Sequence, residues 1–262
     1  ATSYAMAENV FAVTQGGIHE PVNLDKIDRR ALMNSQIARP VDNFQNQDDA
    51  LLNQEIEDHP DIIYMLSAGQ TIQGTSISVR DENGVPLADR VIGEIAIRSD
   101  CMLTGYYHRP DLTEKAFLDG WYLTGDLGYR AEDHIFITGR KKDLIIVGGK
   151  NIYPQDLERL ASEVDGVYPG RIVAFGVLNE NEGTEDVVMV AETSINISQL
   201  TLQPEIAKKL EAISSEIRQH VTRGSDISLR TVHLVPHNWL IKTSSGKIAR
   251  SANREKYLAQ IK

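Results

Sequence analysis

The stretch from residue 121 to residue 158 constrains the fold of this chain most strongly. It contains an alternating apolar run at 134–138, a charged break at 140–143 and a second apolar run at 144–147. Both runs have the length and pattern of short strands. Two short strands separated by charged residues indicate two bodies joined near 140–143. Polar residues cluster there, and a cleft between two bodies is a common place for a ligand.

A turn and a helix start follow the second run. Gly148-Gly149 predicts a tight turn, and Pro154 predicts the first turn of a helix. Beyond residue 151, helix and strand patterns alternate, which predicts a compact α+β domain with a small sheet covered by helices. The predicted helices span 154–164, 204–223 and 246–259, and the predicted strands span 171–178, 186–193 and 229–235.

The first half of the chain is richer in strand patterns. The predicted strands span 10–14, 62–66, 77–79 and 92–97. Asp81-Glu82-Asn83-Gly84 predicts a hairpin turn with Asn-Gly at the positions that need positive φ. Closely spaced short strands with turn signals predict a small barrel or a distorted sheet. We also expect a helix over 24–38, a short helix after Arg109 capped by Asp111 or Thr113, and a polar loop or short helix at 40–60.

The charge of the chain is acidic and uneven. Residues 1–139 contain 10 Lys and Arg against 22 Asp and Glu, whereas residues 140–262 contain 17 against 15. The net charge of -10 argues against nonspecific nucleic-acid binding, which needs a basic surface to neutralise phosphates. We therefore expect no nucleic-acid partner.

The sequence carries no pattern for secretion or membrane insertion. No apolar run is long enough to cross a bilayer, and residues 1–12 lack the basic start of a signal peptide. The single cysteine, Cys101, cannot form an internal disulfide, and we expect it to fill the core beside Met102. These features predict a cytoplasmic protein without a transmembrane segment.

Three motifs occur in order along the chain. They are Tyr4-Ala5-Met6-Ala7-Glu8, the stretch from Gly125-Asp126 to Pro154-Gln155-Asp156-Leu157-Glu158, and Lys242-Thr243-Ser244-Ser245-Gly246-Lys247. Together they resemble the acyl-adenylate-forming (AMP-binding) enzymes, the superfamily of acyl-CoA synthetases, luciferases and peptide-synthetase adenylation domains. Asn151, Tyr153, Pro154 and Asp156, with Ala7, resemble the fatty acyl-AMP ligases more than the CoA ligases.

The resemblance implies two domains. Residues 1–139 would be the C-terminal portion of the large AMP-binding domain, including a β-rich subdomain that forms a distorted barrel. Residues 140–262 would be the small α+β C-terminal domain, which rotates in this superfamily between adenylation and acyl transfer. The hinge would be Lys142, with Asp143 as the other candidate. Charged, exposed residues suit a segment that must absorb a change in φ and ψ.

Asp126 and Arg140 are the candidate ATP- and AMP-binding residues of the central motif. A carboxylate can accept hydrogen bonds from both hydroxyls of a ribose, and Gly125 lets the sugar approach. Arg140 would supply fixed donors to the ribose or to the α-phosphate. Placed 14 residues apart on adjoining strands, the two side chains could converge on one sugar. The alternative interpretation of Gly125-Asp126 is an ordinary turn.

The resemblance also assigns roles to the first motif. Tyr4 would stack on adenine with its aromatic face, and Glu8 would help to hold the magnesium ion that bridges the phosphates of ATP. Without the other motifs, the same residues would be interpreted as a short loop before the strand at 10–14.

Lys247 is the candidate catalytic residue. An exposed ammonium group where a loop meets a helix can neutralise developing negative charge, and the resemblance implies contacts with the substrate carboxylate and the α-phosphate. A P-loop is excluded because that motif needs Gly at 241 and a hydroxyl residue at 248, and both positions are Ile. The alternative is a solvated lysine in a basic tail.

The resemblance implies an ATP-dependent fatty acyl-AMP ligase that uses magnesium. The acyl group would pass to the phosphopantetheine of an acyl carrier protein or of a polyketide or peptide synthetase. The alternatives are an acyl- or aryl-CoA ligase and a non-catalytic fragment that binds a carrier protein or a nucleotide. The family's Ser/Thr/Gly-rich phosphate-binding loop does not occur in the sequence. We therefore expect the C-terminal part of a longer enzyme, inactive in adenylation by itself.

Overall fold

The computed structural model describes residues 1–19, 21–41, 61–197 and 204–260. The chain forms two compact units, Ala1–Lys142 (unit 1) and Asp143–Lys262 (unit 2). The division lies inside the charged break at 140–143, where the sequence predicts a junction. Each unit is built around its own sheet.

Unit 1 is built on a large antiparallel sheet. Its strands are β1 (Thr2–Ala5), β2 (Ala12–Gly16), β3 (Leu24–Asp28), β4 (Ile62–Thr71), β5 (Thr75–Arg80), β6 (Gly93–Ser99), β7 (Phe117–Leu118), β8 (Trp121–Ala131) and β9 (His134–Arg140). The main path runs β1-β2-β4-β9-β8-β6-β5, with β3 paired to β4 and β7 paired to β8. Within the described ranges no pairing joins β1 to β5, so of the two predicted forms, a small barrel or a distorted sheet, the strands form the open sheet. Val13, Ile95, Ile97 and Ile135 form a buried cluster in its core.

The helix predicted over 24–38 is wrong in its first part. β3 pairs with β4 along its whole length, and only α1 (Arg29–Ser35) is helical. Asp28 sets the boundary, because its Oδ1 accepts a hydrogen bond from the amide of Ala31 at 2.9 Å and so caps the helix. Pairing with β4 outweighs the helical spacing of the apolar residues before this cap.

The turn predicted at 81–84 is present, but its conformation differs. Gly84 has a φ of 79°, whereas Asn83 does not have positive φ. The side chain of Asp81 organises the turn, because its Oδ1 accepts hydrogen bonds from the amides of Asn83 at 2.9 Å and Val85 at 2.7 Å. The sequence pattern predicted that Asn83-Gly84 would determine the turn, whereas the Asp81 carboxylate holds it together.

Two smaller predictions in unit 1 are wrong. α2 (Pro110–Ala116) begins directly after Arg109 as expected, but among the described residues no side chain caps it. Pro110 fills the first helical position, where a missing amide hydrogen costs nothing. Cys101 is exposed and does not fill the core. The loop or short helix predicted at 40–60 lies almost entirely outside the described residues.

Unit 2 opens with a hairpin and continues into a three-stranded sheet. β10 (Ile145–Val147) pairs with β11 (Lys150–Ile152) across Gly148-Gly149. Both glycines have positive φ, 55° and 80°, as a tight two-residue hairpin requires, so the predicted turn is correct. The remaining strands are β12 (Val167–Asn179), β13 (Thr184–Thr193) and β14 (Thr231–Val235). β12 runs antiparallel to β13, and β14 runs parallel to β13.

Three helices cover this sheet. They are α3 (Pro154–Ser162), α4 (Pro204–Ser225) and α5 (Arg250–Gln260). β13 is buried from Val187 to Thr193, and because successive side chains of a strand point to opposite faces, both faces of the sheet are covered. The α+β prediction for this part is confirmed, although α5 begins at Arg250 and not at residue 246. In the parts of the chain that the structure describes, no helix has the length and apolar character needed to cross a bilayer.

Candidate active site

Asp126 and Arg140 lie opposite each other on β8 and β9. They are register partners in this strand pair, and Arg140 Nε lies 3.0 Å from Asp126 Oδ1. The Asp126 side chain is only 10% exposed, whereas the Arg140 side chain is 57% exposed. The structure therefore brings the two candidate ribose-binding side chains together and leaves much of the guanidinium group accessible.

Tyr4 joins this pair from β1. Its hydroxyl donates a hydrogen bond of 2.6 Å to Asp126 Oδ2, and its side chain packs against the core cluster that contains Val13. Burial, and then the hydrogen bond and charge of Asp126, raise the pKa of Tyr4 well above its ordinary value. Tyr4 therefore remains a neutral donor and orients the carboxylate. We call Tyr4, Asp126 and Arg140 the Asp126 cluster; stacking of Tyr4 on adenine stays a prediction.

The backbone before Asp126 is held by two further side chains. Thr124 Oγ1 accepts a hydrogen bond from the Asp126 amide at 3.0 Å, and Glu94 Oε1 accepts one from the Gly125 amide at 3.0 Å. Glu94 Oε2 also lies 2.9 Å from Lys141 Nζ. Glu94 thus ties β6 both to β8 and to the segment that follows β9.

An open pocket of about 340 Å³ is lined by Thr124, Gly125 and the consecutive basic residues Arg140, Lys141 and Lys142. Gly125 has a φ of 73°, and apart from its two chain neighbours no described residue has an atom within 4 Å of the place where a Cβ would be. A ligand can therefore approach this backbone closely. Cationic side chains beside a buried carboxylate suit a ligand that carries both phosphates and hydroxyl groups.

Glu8 belongs to a different hydrogen-bond network in unit 1. It lies in a 3₁₀ turn, and its Oε1 accepts a hydrogen bond from the Tyr106 hydroxyl at 3.2 Å. The Tyr106 hydroxyl also lies 2.9 Å from that of Tyr122. Burial, followed by the hydrogen bond with Tyr106 and the charge of Glu8, raises the pKa of Tyr122 above its ordinary value. The Tyr106 hydroxyl, which also contacts that of Tyr122, therefore fixes the position of the Glu8 carboxylate.

The two predicted hinge residues lie on either side of the division between the units. Lys142 ends unit 1 and Asp143 begins unit 2, and both lie in a 3₁₀ turn that spans Lys141–Asp143. Lys142 is exposed. Rotation of the chain about either residue stays a prediction.

A partly buried ion pair in unit 2 lies beside Asp143. Arg250 donates hydrogen bonds to both oxygens of Glu158, at 2.9 Å and 3.3 Å, and its Nε lies 3.9 Å from Asp143 Oδ2. The amide of Ala174 donates a further hydrogen bond to Glu158 at 2.8 Å. Burial raises the pKa of Glu158 to about 7, although the charge of Arg250 opposes the shift. The pair connects α3 to the first residue of α5.

Lys247 lies in an exposed loop of unit 2 between β14 and α5. We call residues 242–248 the lysine loop; its first and last residues, Lys242 and Ile248, form an antiparallel bridge. Lys247 itself is exposed, so its ammonium group is accessible. The Asp126 cluster and Lys247 are therefore carried by different units.

Sequence reasoning missed the polar side chains that support these residues. They are Glu94, Tyr106, Tyr122, Arg250 and Asn253. Each acts as a single residue within a strand, loop or helix, and its partner lies elsewhere in the chain. Such residues leave no spacing pattern, because patterns of apolar residues report burial and not individual hydrogen bonds.

Comparison with known proteins supplies the family. No family model matches the chain. A putative acyl-CoA synthetase from Caulobacter vibrioides is 30% identical over 261 residues, which cover 98% of this chain and 41% of that protein. A solved structure from work on the fatty acyl-adenylate ligases of E. coli and L. pneumophila has a TM-score of 0.78 at 25% identity, over 97% of this chain and 41% of its own. This chain belongs to the adenylate-forming superfamily.

Two other solved members of the adenylate-forming superfamily carry nucleotides. McyG A-PCP, complexed with phenylalanyl-adenylate, has a TM-score of 0.72 at 25% identity, over 99% of this chain and 39% of its own. ATP-bound MatB from Rhodopseudomonas palustris has a TM-score of 0.58 at 27% identity, over 73% of this chain and 35% of its own. Relatives of this chain thus bind ATP and an adenylate. The chain spans about two fifths of the length of the Caulobacter relative.

Proposed function

We propose that this chain is the C-terminal part of a ligase that activates a fatty acid as acyl-AMP and releases pyrophosphate. The Asp126 cluster carries the proposal. It offers a buried carboxylate, oriented by the Tyr4 phenol and the Arg140 guanidinium, beside an open pocket with cationic walls. The likeness to the fatty acyl-adenylate ligases supports a fatty acid as the substrate.

In this proposal the Asp126 cluster binds the ribose of ATP. Oδ2 of Asp126 accepts one hydrogen bond, from Tyr4, and Oδ1 forms an ion pair with Arg140, so both oxygens keep lone pairs free for ribose hydroxyls. Arg140 lies nearest to Asp126 with its Nε and its side chain is 57% exposed, so the guanidinium group can also donate to the ribose or the α-phosphate. The open space above Gly125 lets the sugar reach the carboxylate.

Lys247 acts in the chemical step of this proposal. An oxygen of the fatty carboxylate attacks the α-phosphorus of ATP, and the bond from that phosphorus to the bridging oxygen breaks as pyrophosphate leaves. Negative charge accumulates on the oxygens of the α-phosphate during this displacement. An ammonium group held beside them stabilises the transition state electrostatically.

Glu8 would supply one oxygen ligand to magnesium. Tyr106 donates a hydrogen bond to its Oε1, and Mg²⁺ bound to ATP takes most of its ligands from phosphates and water. The described residues contain no group of three or more His, Cys, Asp and Glu side chains placed to form a metal cage, which fits an ion that arrives with the nucleotide. The ion would shield the negative charge of the phosphates.

We propose that the acyl group passes to the phosphopantetheine of an acyl carrier protein or of a polyketide or peptide synthetase, in the cytoplasm. The likeness to McyG A-PCP, an adenylation protein with a carrier domain, supports this acceptor. The Caulobacter relative, a putative acyl-CoA synthetase, favours free CoA as the alternative. Full-length protein should be given fatty acids, ATP and both acceptors together. Thioester formation with the carrier supports the proposal, and formation with CoA alone supports the alternative.

The isolated chain should not catalyse adenylation, because no sequence in it matches the family's phosphate-binding loop. Purified 262-residue chain should show no fatty-acid-dependent exchange between ATP and pyrophosphate. Detectable exchange would contradict this part of the proposal. Binding of a carrier protein or a nucleotide by a full-length protein without any ligase activity would favour the non-catalytic alternative.

A further inference from the structure

The lysine loop is internally ordered by one side chain and one turn. Thr243 donates its amide to the carbonyl of Lys247 at 2.8 Å, and its Oγ1 accepts a hydrogen bond from the amide of Lys247 at 3.2 Å. The amide of Gly246 donates to the carbonyl of Thr243 at 2.9 Å, and Gly246 has a φ of 82°. The backbone of Lys247 is therefore fixed relative to Thr243 while its side chain stays free.

A buried asparagine holds the two ends of the loop together. Asn253, on the first turn of α5, has no exposed surface. Its Oδ1 accepts a hydrogen bond from the amide of Ile241 at 2.8 Å, and its Nδ2 donates to the carbonyls of Ile241 and Ala249, both at 2.9 Å. Ile241 precedes the loop and Ala249 follows it. The reverse orientation of the amide would place Nδ2 against a donor and Oδ1 against acceptors, so this network fixes one orientation.

A second buried side chain anchors the next residue upstream. Glu192, at the end of β13, has no exposed surface, and its Oε1 accepts a hydrogen bond from the amide of Leu240 at 2.8 Å. Its Oε2 lies 3.2 Å from His237 Nδ1 and 3.6 Å from Arg171 Nη1. Consecutive amides at 240 and 241 are thus held by buried groups that belong to a strand and a helix. Glu192 of β13 and Asn253 of α5 therefore hold the base of the loop.

We propose that Asn253 is a positioning residue for Lys247. This inference rests on the proposed role of Lys247 in adenylation. Asn253 closes the base of the lysine loop with three hydrogen bonds from the rigid start of α5, and the bonds of Thr243 carry that order to the backbone of Lys247. Displacement of a catalytic group by about 1 Å can cost about 100-fold in rate, so the anchoring of this loop matters to the chemistry.

A double-mutant cycle on the full-length protein tests the proposal. Asn253→Asp keeps the shape and the acceptor of the side chain and removes both donors. It should lower kcat for adenylation by about 10- to 100-fold with little change in the KM for ATP. In the Lys247→Ala background, the same substitution should have an effect of less than about twofold, because the group that it positions is gone. Equal losses in both backgrounds would overturn the proposal.

Ser225→Ala is the matched control. Ser225 is also buried in unit 2 and hydrogen-bonds backbone atoms, donating to the carbonyl of Val221 at 2.6 Å, but it lies far along the chain from the loop, on α4. Removal of the Ser225 hydroxyl should lower the free energy of unfolding and leave kcat within about twofold of the wild type. If Asn253→Asp does not fold, Asn253→Ala replaces it, since alanine has the highest helix propensity. Failure of both variants to fold would overturn the proposal in favour of a purely structural role.

Hydrogen exchange separates this proposal from the proposed function. In wild-type protein the amides of Thr243 and Lys247 are hydrogen-bonded within the loop, and in the Asn253 variant they should exchange at least about tenfold faster, while amides of α4 stay unchanged. Unchanged exchange of the loop would overturn the positioning role. If Lys247→Ala by itself keeps full adenylation activity, the role of Lys247 is wrong, and the exchange data still report whether Asn253 orders the loop.

Discussion

Replacement of Asp126 by Asn should weaken ATP binding without unfolding the protein. In the structure, Oδ1 of Asp126 forms an ion pair with Arg140 Nε at 3.0 Å, and Oδ2 accepts a hydrogen bond from Tyr4 at 2.6 Å. An amide has one oxygen and one donor nitrogen. The oxygen should remain toward Arg140, which can only donate, and the nitrogen should face Tyr4, whose hydroxyl can rotate and accept.

The magnitude follows from the lost acceptor. Both ribose hydroxyls can donate to a carboxylate, whereas the amide nitrogen offers no lone pair to the hydroxyl on its side. A hydrogen bond to a charged group is worth about 1.5–3 kcal/mol. Since about 1.4 kcal/mol corresponds to a factor of ten, the Kd for ATP should rise by about 10- to 150-fold.

Calorimetric titration of ATP into the full-length protein measures this effect. Asp89→Asn is the matched control, because Asp89 pairs with Arg130 at 2.8 Å in the same unit but its side chain is 50% exposed. The control should leave the Kd for ATP unchanged. A folded Asp126→Asn protein that binds ATP within about twofold of the wild type would refute the assignment of Asp126 to the ribose.

Two further substitutions test the supporting network. The pKa of Glu158 is about 7 in the folded state against an ordinary value of 4.5, so its protonation stabilises the folded state as the pH falls. Relative to Glu158→Gln, the wild type should therefore gain about 2 kcal/mol of unfolding free energy between pH 8 and pH 5.5, measured by urea titration. A difference between the two proteins that stays constant with pH would contradict this. Tyr106→Phe removes the hydroxyl that fixes Glu8 and should raise the magnesium concentration for half-maximal adenylation about tenfold, as loss of other outer partners of metal ligands does. Tyr107→Phe, at a neighbouring residue that is 88% exposed, should leave that concentration unchanged, and equal effects of the two changes would count against Glu8 as a ligand.

The central strands and their polar residues could be predicted because the information is local. β8 and β9 are consecutive, and a short turn at 132–133 joins them, so Asp126 and Arg140 lie close together. A register shift between Leu127 and Gly128, which the spacing does not predict, makes them direct partners. The Gly148-Gly149 hairpin is local in the same sense. At both places the pattern of nearby residues determines which residues lie close together.

The predictions that are wrong concern segments whose structure depends on residues far away in the sequence. Residues 24–28 have helical spacing, but they pair with β4, whose residues Ile62–Leu66 lie well along the chain. The final helix was predicted to begin at residue 246, but Asn253 and Glu192 hold the preceding backbone in a loop. The residues near 246 give no sign of these two contacts. Tertiary pairing and side-chain anchors outweigh local propensity at these sites.

The most direct test of the account is pyrophosphate release by the full-length protein and its Lys247→Ala variant, with a panel of fatty acids. We predict fatty-acid-dependent release by the wild type and a loss of about 100- to 1000-fold in kcat for the variant, the scale of other electrostatic contacts made in a transition state. The variant should fold normally because Lys247 is exposed. Undiminished release by Lys247→Ala, or no release by the wild type with any fatty acid, would contradict the account.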